Sequence, residues 1–136
     1  MTTVVGIRMS CRGEVINGLK RWQEVEVPIP TGQPCPLSVC IGTPFAVTKT
    51  SPSVELESSA ALVNQHATWL NIELDSGFAP FEWQMNVGPV IVARTDGQDM
   101  TMDDLDHAID VASNVLDKFG DGDPFDVRAF ITKAVQ

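Results

Sequence analysis

Apolar residues in the last third of the chain recur at every third or fourth position, which is the spacing of one face of an α-helix. The stripe covers about five helical turns and predicts an amphipathic helix that buries its apolar face against another element. Thr101 is a suitable N-cap ahead of this helix, and Gly120 is a suitable stop behind it. The residues of the stripe are Leu105, Ala108, Ile109, Ala112, Val115, Leu116 and Phe119.

A second helix is predicted directly after the first. Asp123 and Pro124 combine a capping side chain with a proline at the first helical position. The apolar stripe that follows consists of Val127, Phe130, Ile131 and Ala134.

The first two-thirds of the chain carry a different period. Apolar and polar residues alternate in several short runs, as in half-buried β-strands, and 89–95 is a continuous apolar run, as in a strand buried on both faces. Pro28 cannot donate a ladder hydrogen bond, so its strand is expected to end there or to lie at an edge. The runs with strand character are 4–11, 24–29, 37–41, 45–50, 67–74 and 89–95.

Strands followed by helices are typical of the α+β class. The length of 136 residues matches the size of one domain. We therefore predict a single α+β domain over 1–136, strand-rich over 1–95 and helical over 101–136. Its core is expected to be a mainly antiparallel sheet of about five strands, with the two C-terminal helices packed on one face.

The acidic charge lies in the second half of the chain. Up to Thr68 there are five acidic and five basic residues, and from Trp69 onward there are 13 acidic and four basic residues, for a net charge of −9. Such a surface repels phosphate backbones and anionic lipids, so we expect no nucleic-acid partner and no membrane partner. There is no run of about 18 apolar residues and no N-terminal signal pattern, which predicts a cytoplasmic protein.

No metal and no cofactor are expected. Cys11, Cys35 and Cys40 are odd in number and lack the paired spacing of a zinc site, which predicts reduced and mostly buried thiols. Residues 121–123 do not fit the register of a calcium-binding loop. No glycine-rich phosphate loop is present.

Catalysis has only weak candidates in this sequence. No serine lies in a nucleophile elbow, and no cysteine neighbours a histidine. Glu82 is flanked by two aromatic residues and His66 follows Asn64 and Gln65, so Glu82 and His66 are the candidate acid and base. The three residues 64–66 offer donors and acceptors that a ligand or a buried turn can use equally well.

The segment SGFAPFEWQ, residues 76–84, places two phenylalanines and a tryptophan in a turn framed by glycine and proline. We call it the aromatic loop. Such rings either plug the core, where they bury a large apolar area, or form a binding surface, and the sequence leaves both open. The candidate ligand- or partner-binding residues are Asn64, Gln65, His66, Trp69, Phe78, Phe81, Trp83 and Gln84.

These residues also belong to a wider pattern, N-Q-x-A-T, then G-F-A-P-x-x-W-Q, then V-G-x-V-x-V-x-R-x-D. The chain matches it at Asn64, Gln65, Ala67, Thr68, Gly77, Phe78, Ala79, Pro80, Trp83, Gln84, Val87, Gly88, Val90, Val92, Arg94 and Asp96. In this respect it resembles an uncharacterised family of small proteins from mushroom-forming fungi. The resemblance implies a fungal, intracellular, single-domain protein, and it implies no activity or cofactor.

Two functional hypotheses follow. The first is a non-catalytic intracellular binding protein with an unknown protein partner, of which a homodimer through the aromatic loop is one form. The alternative is a small α+β enzyme or a carrier of a small apolar molecule. In that case Trp69, Phe78, Phe81 and Trp83 would line the pocket, with Glu82 or His66 as acid or base.

Overall fold

Four strands and four helices make up the part of the chain that the computed structural model describes, which is residues 3–9, 22–49, 65–84, 87, 89–122 and 125–134. The fold is therefore α+β, as predicted. In chain order the elements are β1 (Thr3–Met9), β2 (Trp22–Pro28), α1 (Pro36–Cys40), β3 (Phe45–Lys49), α2 (Gln65–Leu70), β4 (Val90–Arg94), α3 (Met102–Gly120) and α4 (Val127–Ala134).

The strands form one sheet in the order β2-β1-β4-β3. All three pairings are antiparallel, which confirms the predicted sheet type, although the described strands number four rather than about five. β2 lies at one edge and ends at Pro28, as its missing N–H predicts. β4 lies in the middle, where Val90 and Val92 are fully buried.

Two of the predicted strands, 37–41 and 67–74, are wrong. Residues Pro36–Cys40 form α1, which begins with a proline at the first turn, where its missing N–H costs nothing. Residues Gln65–Leu70 form α2, which buries Ala67 and Leu70, three positions apart. Positions three apart lie on one face of a helix but on opposite faces of a strand, so the joint burial of Ala67 and Leu70 against α3 overrides the alternating pattern.

α3 confirms the predicted long helix and its N-cap. The Thr101 hydroxyl accepts a hydrogen bond from the Asp104 N–H at 3.0 Å, and the Asp104 carboxylate accepts one from the Thr101 N–H at 3.2 Å, which is a reciprocal capping box. The helix includes Gly120, and the glycine with positive φ just beyond its end is Gly122 rather than the predicted Gly120.

α4 begins later than predicted. The Asp126 carboxylate accepts a hydrogen bond from the Ala129 N–H at 3.1 Å, so Asp126 caps the described helix, and the predicted cap at 123–124 falls outside the described residues. No helix in the described parts of the chain is long and apolar enough to span a membrane.

The core consists of two clusters. In the first, Ile7, Val47 and Val92 of the sheet pack against apolar residues of α2 and α3. In the second, Leu37 of α1 and Ile131 of α4 pack against the C-terminal half of the apolar stripe of α3. α3 therefore lies on the sheet as predicted, whereas the buried side of α4 faces α1 and α3.

Candidate functional site

Backbone hydrogen bonds to Glu73, three residues before the aromatic loop, hold the start of the loop. The Gly77 N–H donates to the Glu73 carbonyl, and the Glu73 N–H donates to the Phe78 carbonyl, both at 2.9 Å. Residues Phe81–Trp83 then form a single 3₁₀ turn. The Gln84 side-chain amide donates to the carbonyl of Ala79 at 2.8 Å, which ties the two halves of the loop together.

Four contacts join this loop to the rest of the protein. Gly77 lies directly against the ring of Phe119 near the end of α3. The Thr68 hydroxyl on α2 donates to the carbonyl of Trp83. Lys49 at the end of β3 donates to the carbonyl of Glu82 at 2.7 Å, and its ammonium lies 5.1 Å from the centre of the Trp83 ring, within the range of a cation–π interaction.

The three rings of the loop have different environments. Trp83 is half-buried and packs against the cluster between sheet and helices. Phe78 and Phe81 are 73% and 75% exposed. Trp83 therefore packs towards the core, whereas Phe78 and Phe81 each expose an apolar ring to solvent.

The two acid–base candidates lie in different settings. Glu82 is exposed, and its contact with Lys49 is made by its backbone carbonyl. His66 is half-buried on α2, with its ring edge-on to Trp22 at 5.4 Å and to Trp69 at 5.3 Å between ring centres. His66 thus packs in an aromatic cluster.

Of the remaining candidate binding residues, Gln65 and Gln84 are exposed, and Trp69 packs against the second core cluster. Asn64 lies outside the described residues. The hydrogen bond between Thr68 and Trp83 makes α2 and the aromatic loop neighbours, so the structure brings the two halves of the predicted site together.

The sheet face opposite the helices carries a groove of about 640 Å³. Its floor includes Ala46 and Ala93, which are directly paired on β3 and β4, and Ile91 and Thr48, which are paired beside them. Segment 28–33 forms one wall of the groove. None of the residues lining this groove was among the sequence candidates. In the sequence, the groove is indicated by small side chains, Ala46 and Ala93, in strands whose neighbouring positions carry valine or isoleucine.

Both described cysteines are free thiols. Cys35 is buried, and its thiol lies 3.4 Å from the Asn71 side-chain oxygen. Burial raises the pKa of the Cys35 thiol to about 11, so this thiol stays protonated at neutral pH and is a poor nucleophile. Cys40 is half-buried and accepts a hydrogen bond from the Arg128 guanidinium at 3.4 Å.

An ion-pair cluster fixes the end of β4 to the start of α3. The Arg94 guanidinium lies 2.6 Å from the Asp96 carboxylate and 3.9 Å from that of Asp104. The hydrogen bond from Arg94 lowers the pKa of Asp96, and the same bond raises the pKa of Arg94. Because Asp104 is also part of the capping box of α3, we assign this cluster a structural role.

A scan against protein-family models, a search of curated proteins and a search of solved structures each gave no match. Membership of the fungal family stays a prediction. Within the described residues there is no group of three or more histidine, cysteine or acidic side chains arranged to bind a metal.

Proposed function

We propose that this chain is a non-catalytic intracellular binding protein whose recognition surface is the aromatic loop, residues 76–84. The observation that carries the proposal is the exposure of Phe78 and Phe81, at 73% and 75%. Burying such a side chain is worth about 1.5–3 kcal/mol relative to leaving it in water. A protein partner that covers both rings gains this free energy.

The construction of the loop supports the same proposal. Backbone hydrogen bonds to Glu73 hold its start, and the contacts of Gly77, Lys49 and Thr68 join the loop to α3, β3 and α2, respectively. A surface held in one conformation before binding loses less conformational entropy when a partner docks. Trp83 and Lys49 are positioning residues in this scheme, and Phe78 and Phe81 make the contact.

The test is a selection with random short peptides displayed on phage. Peptides are selected on the wild-type protein and depleted on the Phe78→Ser, Phe81→Ser double variant. We expect binders that require the two phenylalanines. Because both side chains are exposed, the double variant should keep its free energy of unfolding within about 0.5 kcal/mol per substitution, measured by urea denaturation.

Val39→Ser provides the matched control, because Val39 is also an exposed apolar residue, at 54%, but lies on α1. This variant should retain the selected peptides. If no binder depends on Phe78 and Phe81, or if Val39→Ser loses them equally, the aromatic loop is not the recognition surface. Analytical ultracentrifugation of the wild type and the double variant measures their oligomeric state. A wild-type dimer that the double variant does not form would identify the partner as a second copy of the chain.

A second candidate function, a carrier of a small apolar molecule, is favoured by the groove on the sheet face opposite the helices. Its volume of about 640 Å³ lies within the range of small-molecule sites, about 300–1,000 Å³. The residues lining it are uncharged, which suits a neutral ligand. His66 and Glu82 do not line the groove, so neither of them supplies an acid or a base there.

The carrier function predicts that the purified protein holds a non-covalent mass visible by native mass spectrometry. Thr48 lines the groove and is exposed, so Thr48→Phe should fill the groove and remove that mass. Thr132→Phe, at an exposed position on α4, should retain it. A bare wild-type protein, or a mass that persists in Thr48→Phe, contradicts the carrier function.

A further inference from the structure

We propose that the partner of the aromatic loop is a basic protein segment that presents Lys or Arg together with aliphatic side chains. This inference rests on the proposed function, because it names the chemistry of the surface that covers Phe78 and Phe81. Its basis is the distribution of charge around the two rings.

Exposed acidic residues lie close to the two exposed rings along the chain. Glu82 follows Phe81 directly, and Glu73 is joined to Phe78 by a backbone hydrogen bond of 2.9 Å. Asp75 is exposed at the start of the same turn. Residues 73–84 contain these three acidic residues and no basic residue.

The surface next to the loop continues the same charge. Gly77 packs on Phe119, and the exposed residues nearest this ring in the chain include Asp117 on α3 and Asp121, the C-cap of α3. Among the described residues, two lysines lie nearby: Lys118 is beside Phe119 in sequence, and Lys49 lies against the loop. The ammonium of Lys49 is already engaged with the Glu82 carbonyl and the Trp83 ring. A partner therefore meets two apolar rings within a region of net negative charge.

Charge complementarity selects among the possible occupants. Interfaces place opposite potentials against each other, and like charges brought together cost affinity. A second copy of the chain docking about a two-fold axis presents the same patch to itself, so the carboxylates at 73, 75 and 82 would meet their own copies. Anionic lipids and nucleic acids are repelled by the same carboxylates.

The experiment extends the phage selection described above. Peptides that require Phe78 and Phe81 are sequenced, and the most enriched one is synthesised with a fluorescent label. We expect an excess of Lys and Arg over the unselected library. We also expect the affinity to fall between about 0.15 M and about 1 M salt, over which the screening length decreases from about 8 to about 3 Å.

A charge variant tests the carboxylates directly. In the triple variant Glu73→Gln, Asp75→Asn, Glu82→Gln, we expect the Kd of the labelled peptide to rise by about two- to fivefold for each carboxylate that pairs at the interface. The matched control is Asp103→Asn, Asp106→Asn, Asp110→Asn. It removes the same charge from exposed positions of α3 that lie roughly 14 Å or more from Phe119 along the helix axis. The control should leave the Kd unchanged.

Each result either supports or overturns the inference. Peptides that depend on the rings but have no excess of basic residues, or a Kd that rises equally in both triple variants, overturn the basic partner and leave the proposed function intact. A wild-type dimer that dissociates in the Phe78→Ser, Phe81→Ser variant also overturns it, because the patch is then occupied by a second copy. The absence of any ring-dependent peptide contradicts the proposed function itself.

Discussion

Gly77→Ala is expected to lower the free energy of unfolding by about 3 kcal/mol. Gly77 has a φ of 77°, and an L-residue in this left-handed region costs about 1–2 kcal/mol. A Cβ at this position would lie 2.7 Å from Cδ2 of Phe119, and such overlap in a packed site typically costs about 1–3 kcal/mol more. Thermal unfolding should shift downward by about 4 °C for each kcal/mol in a chain of this size.

Gly42→Ala separates the two contributions. Gly42 has nearly the same φ, 81°, but a Cβ added there would have no neighbouring atom within 4 Å. It should lose only the conformational cost of about 1–2 kcal/mol. In a Phe119→Ala background, Gly77→Ala should cost less free energy than in the wild type, because the overlapping ring is absent, and the double-mutant cycle measures that coupling. Equal losses in Gly77→Ala and Gly42→Ala would contradict the packing of the loop on α3.

Ser38→Ala is expected to lower the free energy of unfolding by about 2 kcal/mol, within the range of about 1–3 kcal/mol for a buried polar group that loses its partner. The Ser38 hydroxyl is fully buried. It accepts a hydrogen bond from the Phe45 N–H at 3.0 Å and donates to the Cys35 carbonyl at 2.7 Å. Removing it leaves the Phe45 N–H at the start of β3 without this acceptor. Urea denaturation followed by tryptophan fluorescence measures the change.

Ser76→Ala is the control for this substitution. The Ser76 hydroxyl also accepts a backbone hydrogen bond, from the Phe78 N–H at 3.2 Å, but Ser76 is exposed. Water replaces the lost acceptor there, so the change should stay within about 0.5 kcal/mol. If the two variants lose a similar free energy of unfolding, the hydrogen bond between the Ser38 hydroxyl and the Phe45 N–H does not stabilise the junction of α1 and β3 as a buried bond would.

The sequence revealed the aromatic loop by its three aromatic residues between glycine and proline, but it left open which of the rings faces the core. The structure buries part of Trp83 and exposes Phe78 and Phe81. The determining contacts come from Lys49 and Phe119, which lie far from the loop in sequence. No pattern within residues 76–84 carries that information.

The groove was missed for a similar reason. Its alanine floor arises because Ala46 and Ala93 are paired across β3 and β4, and that register depends on strand order.

The secondary structure of residues 67–74 was also decided by packing. These residues satisfied an alternating pattern, yet Gln65–Leu70 is helical and packs with α3. Short segments with two admissible periods take the structure that buries them best.

By itself, the sequence determined the α+β class, the mainly antiparallel sheet, the special position of Pro28 at a strand end or edge, and the long helix with its Thr101 cap. These features depend on periodicity and on backbone hydrogen bonds between near neighbours, which the chain carries locally. The tertiary structure alone decided that α1 and α2 are helices, that the groove exists, and that Phe78 and Phe81 face solvent. Burial is a property of surfaces brought together from distant positions, so it is settled only when the chain has packed.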